Sequence, residues 1–188
     1  MRNRYSALCT LHSAFCTRRL TAGQALVEYA IVFPLQLLLT LIIIQLAHLF
    51  VAKQVVEYSA FCAARAGLSN LDDYDGQRRA ALVPLSRISG KSGVAAQDSI
   101  VVPGWGALPG SAAADQKTSV TVRPDTVDGY PVVFSEVTHE YELSIPIGGA
   151  VVYKLGDVTP GLEVDRSTYD APHWVMSGTC VLARPWGE

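Results

Sequence analysis

Glu28 is the residue whose position most needs explaining. In "TAGQALVEYAIVFP", residues 21–34, a glycine is followed by a few mostly apolar residues and a glutamate, just where a hydrophobic run begins. An ionised carboxylate entering hydrocarbon is costly and needs a partner. At a helix N-terminus the macrodipole alone can stabilise it. Tyr29 beside it suits a membrane-interface anchor. Elsewhere, groups able to do chemistry are scattered. No nucleophile–base pair, phosphate loop or His pair with metal-ligand spacing occurs. His139 falls on the apolar face of an alternating strand pattern and reads as a core histidine. His173, between Pro172 and Trp174, reads as structural or surface, and His48 as headgroup-exposed. Asp72, Asp73 and Asp75 in "LDDYDG" lack the alternation and the twelfth-position Glu of a calcium loop, so helix capping is expected of them. The residues imply no metal, no cofactor and no enzyme.

The elements that must position Glu28 follow from charge and hydropathy. Residues 1–23 carry Arg2, Arg4, Arg18 and Arg19 and no acid. The remainder holds 11 basic and 17 acidic side chains, a net of −6, which argues against nucleic acid as a partner. From Tyr29 to Ala52 no residue is permanently charged. As a helix, that run spans roughly 36 Å, enough for a bilayer core of about 30 Å. The arginines set the orientation: leader in the cytoplasm, and everything after about residue 52 exported. A secretory signal fits poorly, because its apolar core runs only about 7–15 residues. "SAFC" at 59–62 lacks the aliphatic residue that a lipoprotein signal has three places before its cysteine. Pro34 removes one backbone donor early in the run and should bend or loosen the helix.

"GQALVEYAIVFPLQLLL" resembles the N-terminus of TadE-like minor pilins of tight-adherence (Flp-type) type IV pilus systems. Gly23, Glu28, Tyr29 and Pro34 stand at that family's positions, and "VAKQVVEYSAFCAARAGL" is similar to its helix continuation. The resemblance covers residues 18 to about 68. It implies a membrane-embedded prepilin peptidase that cuts between Gly23 and Gln24. The new ammonium group at Gln24 would then lie one helical turn from Glu28, which could offset it in its own chain or in a neighbour. The resemblance also implies major and other minor pilins, the inner-membrane assembly platform and membrane lipid as partners, with assembly at Glu28, Tyr29 and Pro34. The alternative is an uncleaved signal-anchor protein with a periplasmic binding domain.

The expected fold is α+β: residues 1–23 as leader, 24–67 as one helix with Gly67 as its C-terminal stop, and 68–188 as a small exported domain. Val55, Ser59, Cys62 and Ala66 share a helix face, which is expected to take that domain. A short helix is expected within 71–89, capped by Asp73 or Asp75 and limited or kinked by Pro84. Strands are expected at 97–102, 117–124, 136–147 and 174–185, with 104–116 as a loop, 148–156 ambiguous and 157–173 irregular. Three to five antiparallel strands should pack on the long helix. Cys62 and Cys180, in an oxidising compartment, could form a disulfide or remain two buried thiols.

Overall fold

The computed structural model describes residues 4–90, 97–98, 100–102, 104, 106–143, 145, 151, 154 and 173–184, with side chains from residue 23 onward. The chain forms two units, Met1–Leu41 and Ile42–Glu188. The first is helical. It belongs to α1, Arg4–Ser69, a 66-residue helix that contains Pro34. Across 23–40 every side chain is exposed.

The second unit is built on the C-terminal part of α1. The elements that follow are α2 (Tyr74–Leu85), β1 (Val101–Val102), β2 (Gly106–Ala107), α3 (Ser111–Gln116), β3 (Thr118–Val127), β4 (Tyr130–Glu142) and β5 (His173–Ala183). Strands β3, β4 and β5 form an antiparallel sheet in that order, and β1 and β2 form a separate two-residue ribbon. The α+β architecture expected from the sequence is therefore observed.

The core lies between α1 and the sheet. Ala52, Val56, Ala60 and Ala63 are buried on the helix, against Val120, Val137, Tyr141 and Met176. This face is displaced by one residue, roughly 100° around the helix, from the one built on Val55, Cys62 and Ala66. Those three are only half-buried, and Ser59 alone is fully buried. The alanines explain the displacement: they let backbone approach backbone. Ser135 of β4 donates its hydroxyl to the Ala60 carbonyl at 2.6 Å. A Cβ at Gly178 of β5 would lie 2.8 Å from the Val56 carbonyl and 3.0 Å from Glu57 backbone. Gly178→Ala should therefore force β5 off α1 and cost about 1–3 kcal/mol, read as a lower unfolding midpoint. Gly67 has a similar role. It does not end the helix, which runs to Ser69; a Cβ there would meet Val122 at 2.8 Å and Val133 at 3.2 Å.

Helix α2 follows its capping chemistry. The Asp73 carboxylate accepts from the Gly76 amide at 2.9 Å, and Pro84 lies in the last turn. Its apolar face buries Ala81, Leu82 and Leu85, each leucine worth about 2 kcal/mol on removal from water. All four strand expectations need correction. Among the described residues of 97–102 the strand is Val101–Val102, and the expected loop 104–116 contains β2 and α3. Strands β3 and β4 are longer than expected, meeting at an Asp128-Gly129 turn with φ of 52° and 83°. Two left-handed residues in succession make the tight turn that matches strand twist. Strand β4 stops at Glu142, four residues short of Pro146. Strand β5 begins one residue early and ends at Ala183. Among the described residues β3 pairs only with β4, so Pro124 costs the sheet no interior hydrogen bond. Residues 146–150 and most of 151–172 lie outside the described residues.

Candidate processing and assembly surface

Gly23, Gln24, Glu28, Tyr29 and Pro34 all lie on the exposed part of α1. The helix places Gln24 and Glu28 one turn apart on one face, and Gln24 Nε2 donates to Glu28 Oε1 at 3.1 Å. Any charge at the Gln24 backbone nitrogen would arise within a turn of that carboxylate. Tyr29 stacks on Phe33 with ring centroids 5.4 Å apart, forming an aromatic step beside Glu28. Pro34 lacks the amide that would bond the Ala30 carbonyl. Thr40 returns its hydroxyl to the Gln36 carbonyl at 2.8 Å, so that polar residue is satisfied within the helix. Around Gly23 nothing lies within 4 Å of where a Cβ would stand.

This surface is apolar. Leu26, Tyr29, Ile31 and Leu35 are each 65–72% exposed. The segment Gly23–Ser69 is long and apolar enough to cross a membrane, and only 6% of its most apolar window is buried. The core helix of a soluble fold would be mostly covered; this exposed apolar helix is consistent with membrane anchoring.

Residues 23–65 match the model of the TadE-like protein family. This segment is therefore similar to the TadE-like family. The match lies wholly within α1, starts at Gly23 and takes in Glu28, Tyr29 and Pro34. Comparison with curated proteins and with solved structures returned no match. The sheet that follows the TadE-like segment lies outside the family match.

A second concentration of functional groups lies inside the sheet unit, and sequence patterning missed most of it. Lys117, between α3 and β3, has its side chain fully buried. Its ammonium is 2.9 Å from the Gly90 carbonyl, 3.0 Å from His173 Nε2 and 3.4 Å from Glu142 Oε2. An ammonium has three hydrogens and no acceptor, so these three partners match its donors, with His173 accepting as a neutral imidazole. Burial lowers the Lys117 pKa, and Glu142 opposes that shift. His139 is buried as expected. Its Nδ1 is 2.8 Å from the Thr118 hydroxyl and its Nε2 is 3.5 Å from the Ser89 hydroxyl. Ser89 already donates to the Leu85 carbonyl at 2.8 Å, so it accepts from His139. Burial first, then the Lys117 ammonium, pushes His139 down to about 4.

His173 is buried rather than on the surface, and Trp174 is half-buried against the core. His48 is exposed. Trp105 and Trp186 lie outside the described residues. Cys62 and Cys180 are both free thiols, each half-buried, and burial raises the Cys180 pKa. Among the described residues no group of three or more His, Cys, Asp or Glu side chains could hold a metal ion.

Proposed function

We propose that this protein is a minor pilin that enters a tight-adherence pilus after removal of its arginine-bearing head between Gly23 and Gln24. The observation that carries this reading is the exposed apolar helix with Glu28 one turn from Gln24, inside a segment that matches the TadE-like family. Cutting the Gly23–Gln24 bond creates an ammonium group near the membrane boundary. Glu28 offsets it within the chain or, in an assembly, takes the amine of a neighbouring subunit. In a water-poor setting that attraction is several times stronger than at a surface. Lateral helix packing supplies the bulk of association, and the ion pair supplies register.

In this scheme the leader faces the cytoplasm, α1 crosses the inner membrane, and the sheet unit is periplasmic. Prepilin peptidase, other pilins and the inner-membrane assembly platform are the partners. Tyr29 and Pro34 shape the helix surface that neighbours meet. The scheme also places Cys62 and Cys180 in an oxidising compartment, where they could pair.

The test separates processing from assembly. Glu28→Gln keeps size and hydrogen bonding but removes the charge. It should be cleaved like the parent, yet co-purify with partner pilins roughly tenfold less, because a lost pair worth about 1.4 kcal/mol is one decade in affinity. Equal recovery of partners with variant and parent would remove the pairing role.

A further inference from the structure

We propose that the buried cluster of Lys117, His139 and His173 is an acid-sensitive latch that fastens the start of β5, and the turn after α2, to the β3–β4 pair. Four separate segments meet there. Ser89 and Gly90 follow α2, Lys117 and Thr118 open β3, His139, Glu140 and Glu142 come from β4, and His173 is the first residue of β5. The titratable and charged groups facing one another are Lys117, His139, His173, Glu140 and Glu142.

The hydrogen-bond polarity requires neutral imidazoles. Lys117 can only donate, so His173 Nε2 must keep its lone pair. Protonating it would set two cations 3.0 Å apart. A neutral His139 donates from one ring nitrogen and accepts at the other, between Ser89 and Thr118. A second proton on its ring would abolish that acceptor and add positive charge beside Lys117. Glu142 already pairs with Lys117 at 3.4 Å. The cluster therefore holds while the histidines are neutral and opens when they charge. Releasing His173 frees the strand that carries Gly178, and with it the close seat of β5 on α1.

The sign follows from His139. Its pKa in the fold is about 4, against about 6.5 unfolded. Stability is complete above pH 6.5 and falls progressively as pH drops toward 4, where the unfolded state binds one more proton. Between pH 7.5 and 5.0 the opening equilibrium should rise roughly thirtyfold.

Hydrogen exchange of the full chain in detergent micelles tests this at pH 7.5 and 5.0, after correction for the intrinsic pH dependence of exchange. Protection of residues 173–176 should fall roughly thirtyfold in the parent. A change under threefold overturns the latch. The double variant His139→Asn with His173→Gln keeps acceptors but cannot titrate there, so its acid dependence should shrink below threefold. An undiminished acid response in that variant would assign the effect to other groups and overturn the proposal. If it does not fold, His139→Asn alone supplies this arm: its acid response must be smaller than the parent's, and an equal response overturns the proposal.

Discussion

Gly23→Leu should yield a chain that keeps its arginine-bearing head, with no detectable product starting at Gln24. The structure makes this substitution a clean probe. Gly23 lies inside α1, is exposed, and has nothing within 4 Å of a new Cβ. It also favours helix by nearly 1 kcal/mol relative to glycine. A protease needs extended backbone at the bond it cuts, so α1 must unwind around residues 23 and 24. Glycine lowers the cost of that unwinding and leaves room for the enzyme to approach. Leucine opposes both. A gel of membrane fractions reads the result: the variant runs as the unprocessed chain, whereas the parent runs shorter. Melting of the sheet unit should be unchanged, which separates failed cleavage from failed folding.

Lys117→Met should lower the stability of the sheet unit by about 3 kcal/mol, the low end for breaking a buried ionic contact. The loss has three parts. The Gly90 carbonyl and His173 Nε2 lose their donor inside the fold, and Glu142 loses its counter-charge. Glu142 is 21% exposed and can partly rehydrate, which keeps the cost from being larger. For a unit of this size the unfolding midpoint should drop by about 6–12 °C, read by circular dichroism. Were Lys117 a passive, neutral side chain, methionine would be tolerated or stabilising.

The sequence makes part of this architecture easy to read and hides the rest, for physical reasons. Alternation over Val137, His139 and Tyr141 marks β4, because one face of a strand must leave water. The capped start of α2 was legible from Asp73 and Asp75. The apolar run with Glu28 at its mouth showed where α1 meets the membrane question. The hairpin between β3 and β4 carried a usable signal, Asp128-Gly129, which marks a tight turn. Helix α3 had a weaker one, the "SAAADQ" run inside a Gly/Pro-rich stretch. The rotation of the docking face follows from close approach at Gly178 and Ser135, which are distant in sequence from α1. Nothing local marks Lys117 as buried. It is the partner of residues 25 and 56 positions away, and only the sheet register brings them together.

The central claim is that the head is removed to place a positive terminus beside Glu28. Determining the N-terminal residue of the protein extracted from its native membrane tests this directly. Gln24 in first position is the expected result. A chain still carrying residues 1–23 would contradict the account and leave an anchored sheet domain in place of a pilin.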